Sequence, residues 1–528
     1  MEQQQKKLPE EGIKGLRQNW KTDSISGFLV FLLALPLSLG IAKASGFDPA
    51  MGVLTAMIGG LFVSFFNVSP LTIKGPAAGL ITVCAAAIGD LEKLGLAGHN
   101  PVSMVCAAIV VMAIIQIVFG FMKLGALSDF FPHSAVHGML AAIGIIIIAK
   151  QIPVLLGDEP SVYKGESPLQ MLADIPRFIR ESHPHLAVVG IISLLVMFIF
   201  PRLNIKVFRN IPAPVLVLVI AIPLSIYWHF KHDYSLVRIG SFWQNIHVSA
   251  DFAAIGTFTF WKYVFMFLFV NSLESLLTVK AVDNMDPYKR ESSYSGDLIG
   301  LGAGNALSGL LGGLPMISEV VRSGSNVGFG ARTKWSNFFH GLFLLIAMLM
   351  LIPVIELIPN AALAAMLIFA GFRLAAPKEF ISTYRIGREQ LAIFLITILV
   401  TLLQDLLLGI ASGILVKFIF HLYNGASVSS LFKARYEIRR NDKTTYIHVN
   451  GSAVFSNLIG YKKVFTGLPP GEHVVVNFYS AHLVDHSFLH FVHHFGHTYD
   501  ARGGQFRITG LETHKALSEH PLATRKKR

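Results

Sequence analysis

Charge is what this chain has least of. Of its 528 residues, 14% are charged and 53% are hydrophobic, whereas an ordinary soluble domain carries roughly 25% charged residues. That balance excludes a soluble globular protein and predicts a polytopic membrane protein. Cysteine is nearly missing as well: Cys84 and Cys106 both fall in apolar runs, so a disulfide-stapled secreted scaffold is excluded and both read as small packing residues. The Gly-x-x-x-x-Gly-Lys-Ser/Thr fingerprint of an ATP-driven pump does not occur. Nor does a nucleophile-base or metal constellation, so the chain is not expected to be an enzyme or to hold a metal cofactor. A cleavable leader is not expected, because Lys6 to Lys21 is charged and the first apolar run leads into a second.

The formal charge of +12 does not mark a nucleic-acid binder. The bases cluster in short loops and at both ends rather than on one face, which is the positive-inside pattern of a chain whose partner is the lipid bilayer.

What is present is a succession of apolar runs of the length, about 20 residues, that crosses the hydrocarbon core. In the first half they fall near 25–44, 49–68, 76–90, 102–122, 133–153, 185–204 and 212–229. In the second half they fall near 262–282, 294–311, 318–329, 335–353, 359–373, 389–404 and 406–423. The third member of each half is short and follows Gly/Pro punctuation: Ser69 to Gly79 in one, Gly312, Gly313 and Pro315 in the other. Paired broken helices at matching positions are the sequence signature of an inverted-repeat transporter with its site at the midplane.

Loop charge orients the spans. Residues 1–23 carry Lys6, Lys7, Lys14, Arg17 and Lys21, and the loops after even-numbered spans hold Arg202, Lys206, Arg209, Lys289, Arg290, Arg332, Lys334, Arg385 and Arg388. The reading is therefore a cytoplasmic N-terminal segment 1–23, a membrane domain 24–425 with both ends inside, and a small cytoplasmic α/β domain within 430–528. In the last, strands are predicted at 444–450, 472–478 and 505–509 and helices at 454–464 and 486–499. Arg525 to Arg528 reads as a solvated tail, and His486, His490, His493 and His497 read as a solvated helix face rather than a metal site.

Two half-helices that meet at the midplane aim their N-terminal amides at one spot, which suits an anion. The expected anion-binding set is Thr72, Lys74, Gly75, Pro76 and Ala77 on one side and Ile317, Ser318, Glu319, Val320, Val321 and Arg322 on the other. Thr72 and Ser318 would add hydroxyl donors, and Lys74 and Arg322 positive potential. Arg322 has an alternative reading as an ion-pair partner of Glu319 or Glu274, and Lys74 one as a side chain reaching the membrane edge. Glu274, with Thr278 one turn later on the same face, is the expected coupling site for H+ or Na+.

The broken third helix, Leu-Glu-Ser-Leu-Leu-Thr278, Gly-Gly-Leu-Pro315 and Arg-Ser323, with the C-terminal α/β region, resemble the SulP family of anion transporters and its STAS-like domain. The resemblance covers nearly the whole chain. It implies an α-helical polytopic membrane protein of 14 transmembrane segments, a 7+7 inverted repeat with uracil-permease-like core and gate domains. It also implies a homodimer and cytoplasmic regulators acting on the STAS-like domain. Related Na+-coupled bicarbonate transporters carry an acid and a threonine spaced as Glu274 and Thr278 are. The chain departs at Pro36-Leu37-Ser38, where relatives often have Pro-Gln, and at Asp485-His486-Ser487, where a phosphorylatable serine often stands second. The expected function is secondary active transport of a small inorganic anion of the sulfate, bicarbonate or chloride class in the inner (plasma) membrane. The alternatives are an uncoupled anion channel and a nucleobase permease on the same fold.

Overall fold

A chain in lipid has to satisfy its backbone internally, and the α-helix does this within one segment. The computed structural model describes residues 8–66, 69–125, 132–158, 166–203, 211–230, 235–239, 242–404, 406–441, 444–469, 471–501 and 503–528, and a helix covers each predicted apolar run. In the first half these are α1 (Gly12–Ala44), α2 (Pro49–Leu61), strand β1 (Lys74–Pro76) leading into α3 (Ile81–Glu92), α4 (Pro101–Phe121), α5 (His133–Leu156), α6 (Pro184–Ile199) and α7 (Ala213–Tyr227). In the second half they are α8 (Phe258–Met285), α9 (Tyr294–Leu310), strand β2 (Met316–Ser318) leading into α10 (Val320–Gly328), α11 (Trp335–Met350), α12 (Asn360–Leu374), α13 (Arg388–Leu403) and α14 (Leu406–Tyr423). Among the described residues, eight helices are long and apolar enough to cross a membrane. The chain forms two compact units, Met1–Gly125 with Ile143–Arg373, and Ala126–Ala142 with Leu374–Arg528. The shift to polar composition near residue 425 thus falls inside the second unit.

In the first unit, close helix contacts run through glycine, as expected where van der Waals packing drives association. Gly302 and Gly309 of α9 lie against α4, and Gly60 of α2 touches Gly341 of α11. The N-terminal segment is not a separate arm: α1 begins at Gly12. Buried Asp23 accepts hydrogen bonds from Arg332 N (2.8 Å) and Thr333 Oγ1 (2.5 Å), fixing this stretch to the loop after α10.

The two chain breaks meet. β1 pairs antiparallel with β2 in the register Lys74↔Ser318, Gly75↔Ile317 and Pro76↔Met316. Extended backbone inside a membrane domain needs partners, and buried amides supply them. Asn305 Oδ1 accepts from Met316 N (2.7 Å), Asn271 Nδ2 donates to Met316 O (2.7 Å), and Asn337 Oδ1 accepts from Lys74 N (3.1 Å). Gly312, at φ 84°, turns the chain into β2 through a region that glycine enters readily.

In the second unit the polar region folds as α/β. Strands β3 (Tyr436–Asn441), β4 (Thr444–Val449), β6 (His473–Asn477) and β8 (Gln505–Thr509) form one sheet in that order. A second sheet runs β5 (Gly451–Ala453), β7 (Ala481–Val484), β10 (Arg525–Lys527), β9 (His514–Ala516). Helices α15 (Leu458–Thr466) and α16 (His486–Ala501) close an apolar core that includes Val449, Val476, Tyr461, Phe465, Phe488 and Val492. The expected strands and helices are found.

Two expectations are corrected here. The basic C-terminus is not a solvated tail, because Arg525 pairs with Val484 and Ala516, and Lys526 with Leu483 and Lys515, as a strand of the second sheet. The histidine face of α16 is not wholly solvated, since His486 is buried with its Nδ1 2.8 Å from the Leu522 carbonyl. Beside it Asp485 caps α16 through Phe488 N (2.7 Å) and pairs with Lys417 (3.0 Å) and His421 (3.4 Å) of α14. Ser487, also buried, takes a 2.9 Å bond from Lys417 Nζ.

Candidate functional site

The site grows from α10, a nine-residue helix that starts at the end of β2. Its N-cap is Glu319, whose carboxylate accepts from Arg322 N at 2.7 Å. A carboxylate there satisfies one of the helix's orphan donors and suits the positive end of its dipole. That explains how an acid is accommodated at the start of this helix. It also corrects the amide reading: Ala77 N bonds Pro315 O (3.2 Å), Glu319 N bonds Ile73 O (3.0 Å) and Ser318 N bonds Ser275 Oγ (3.3 Å). Much of the expected amide set therefore holds the crossing together, while the amides of Val320 and Val321 have no acceptor among the described residues.

Arg322 stands one turn into α10 and is fully buried. Its Nε, Nη1 and Nη2 have no hydrogen-bond partner among the described residues. The guanidinium lies so close to Gly75 that a Cβ there would overlap Nη1. The alternative reading, a hydrogen-bonded ion pair with Glu319 or Glu274, is not found among the described residues: Glu319 bonds the backbone of Arg322 and acts on its charge only through space.

A cavity of about 450 Å³ opens against this helix, lined by Ala78, Glu319, Val321, Arg322 and Ser325 together with apolar side chains of α1, α6 and α12. Leu37, at the position where relatives often have glutamine, is one of them, and exposed Arg373 also lines the cavity. Of the expected anion set, Glu319, Val321 and Arg322 line the cavity. Thr72, Lys74, Gly75, Pro76, Ala77, Ile317, Ser318 and Val320 do not.

Lys74 is neither at the cavity wall nor reaching the membrane edge. It is fully buried, and its Nζ lies 2.5 Å from Asp297 Oδ1 of α9 and 2.5 Å from Ser318 Oγ. Asp297 had escaped notice in the sequence. An acid inside the apolar run 294–311 was the available signal.

Glu274 reaches the same neighbourhood from α8. Its Oε2 is buried without a hydrogen-bond partner among the described residues, and the carboxylate lies against Gly79 where a Cβ would collide with it. Thr278, one turn on, is buried. Glu274, Glu319, Arg322, Gly75 and Gly79 thus gather where the two breaks cross.

Comparison with known proteins agrees with this architecture. The cyanobacterial bicarbonate transporter BicA of Picosynechococcus is 23% identical over 76% of this chain and 69% of its own. The BicA of Synechocystis is 24% identical over 84% of this chain and 78% of its own. The solved transmembrane domain of a cyanobacterial BicA superposes with a TM-score of 0.65 at 22% identity, covering 75% of this chain and 98% of that one. The structure of SLC26A9 does so with 0.67 at 15% identity, covering 94% and 85%. The model of the sulfate permease family matches residues 20–397; the chain belongs to that family of membrane transporters of inorganic anions.

Proposed function

We propose that this chain is a secondary active transporter of a small inorganic anion, bicarbonate or sulfate in class, and that the anion sits in the cavity against Arg322. One observation carries the reading: a guanidinium that is fully buried, without a hydrogen-bond partner among the described residues, and at the wall of a 450 Å³ cavity. Guanidinium geometry suits planar or tetrahedral oxyanions, which take two parallel N–H bonds. The amide of Val321, a residue that lines the cavity, adds a donor at the positive end of α10.

Glu274 is the proposed coupling residue. A carboxyl oxygen buried without a hydrogen-bond partner among the described residues is costly as an anion, so a proton travels with the transported anion. Thr278 supports the same helix face. The finer topology belongs to this reading too: fourteen crossings in the plasma membrane, both termini inside, a homodimer, and the α/β region as the part that regulators address.

The test is uptake into proteoliposomes of labelled bicarbonate, sulfate and chloride, each with and without a proton gradient. Saturable uptake of one oxyanion, driven by the gradient and lost in Arg322→Gln, is expected. Non-saturating flux that ignores the gradient would mean a channel and overturn the reading.

A further inference from the structure

The Lys74–Asp297 ion pair at the crossing is a buried charge cluster that anion binding leaves unused. Lys74 Nζ is 2.5 Å from Asp297 Oδ1 and 2.5 Å from Ser318 Oγ, and the Ser318 hydroxyl is 3.3 Å from Asp297 Oδ2. The side chains of Lys74 and Asp297 are 0% and 1% exposed. One carboxylate oxygen and one hydroxyl oxygen close on the same point, oxygen donors of the kind that hard cations take. What occupies that point is an ammonium, a compact unit charge that donates to both.

The chain supplies this cation from β1 and the oxygens from α9 and β2, so the pair bridges the two broken arms directly. An ion taken from solution could do the same electrostatic work but would have to enter and leave. An ammonium tethered to the strand it holds cannot leave.

We propose that Lys74 is a resident cation, filling between Asp297 and Ser318 a position that an alkali metal ion would otherwise occupy. The proposal goes beyond the transport reading, because it concerns Asp297 and Ser318 rather than the Glu274–Thr278 face that the reading gives to the coupling ion. It also assigns a place to sodium in a protein that lacks the side chain. Lys74→Gly leaves Asp297 in an oxygen-lined gap of roughly the volume that the butylammonium chain vacates.

The test uses the full-length protein in detergent and reads the melting temperature in sodium chloride against choline chloride at equal ionic strength. The wild type is expected to melt at the same temperature in both. Lys74→Gly is expected to melt lower in choline and to recover several degrees as sodium is added, saturably, and Lys74→Gly with Asp297→Asn to lose that recovery. A folded Lys74→Gly protein indifferent to sodium overturns the proposal. Should that variant fail to fold, Lys74→Ala decides by the same comparison: a saturable rise in melting temperature with sodium supports a resident cation, and equal melting in sodium and choline overturns it. Absence of anion uptake in any salt would count against the transport reading alone, with the melting comparison still judging Lys74.

Discussion

Two cations flank the same three-residue crossing, and the protein treats them differently. Lys74 on β1 has a carboxylate and a hydroxyl at 2.5 Å; Arg322 on α10 is equally buried and its guanidinium has no hydrogen-bond partner among the described residues. Burying either charge is expensive. Pairing repays that cost within the fold, so Lys74 belongs to the architecture. The Arg322 guanidinium has no hydrogen bond to repay it among the described residues, and under the proposed function an anion in the cavity supplies that return. The second unit repeats the paired case, where Lys417, 1% exposed, is held by Asp485.

The comparison breaks most visibly if the two sites respond alike to loss of charge. Asp297→Asn leaves the Lys74 ammonium buried and unpaired, and is expected to destabilise the protein by about 3–5 kcal/mol. Thermal or denaturant unfolding in detergent would show it, with Asp485→Asn giving a loss of the same order. Arg322→Gln removes a charge that already lacks a partner, so its melting temperature should match or exceed that of wild type. Its anion uptake should fall by at least about thirtyfold, the lower end for deleting one side of a desolvated charge contact. If Arg322→Gln melts as low as Asp297→Asn, the guanidinium is structural after all.

Smaller changes sharpen the same contrast. Glu274→Gln keeps a hydrogen-bonding side chain without a titratable proton. Gradient-driven uptake should drop about tenfold while anion exchange at equal pH persists; uptake that still follows the proton gradient would remove Glu274 from the coupling. The mildest effect belongs to His486. Its pKa is held below the usual 6.5, first by burial and further by the Lys417 charge, with the bond to the Leu522 carbonyl acting in the opposite direction. A histidine with a depressed folded pKa contributes stability above its unfolded pKa and loses it as pH falls below. The second unit should therefore weaken between pH 7 and 5, and His486→Gln should flatten that slope in hydrogen-exchange measurements. Asp485 does not confound the window. Burial alone would raise it, but Lys417 and His421 hold it well below the usual carboxylate range.

Most of the fold was legible because period and length carry it. Twenty-residue apolar runs, Gly312 with Pro315, and the alternation of Thr444 to Val449 are local signals. What stayed hidden was long-range pairing. Nothing in Ser69 to Gly79 says that Gly75 will lie opposite Ile317, so amides that looked free for an anion turned out to hold the crossing. Lys74 looked like an anion ligand because its partner, Asp297, lies more than 200 residues away. Glu319 looked anomalous until its cap geometry appeared. The C-terminal basic run read as tail because Lys and Arg are common in tails, and only sheet pairing with Leu483 and Val484 revealed β10. Arg322 was found from sequence because a charge beside a broken helix is conspicuous; that its guanidinium is unpaired was not.

The most direct measurement of the central claim is anion-induced stabilisation of purified protein. Bicarbonate, sulfate or chloride is titrated into wild type and Arg322→Gln in a gluconate buffer, with melting temperature as the readout. A ligand that binds only the folded state raises the melting temperature with its concentration. Wild type should show a saturable rise with one oxyanion and Arg322→Gln none. Equal rises in the two proteins would place the anion elsewhere and contradict the assignment of Arg322.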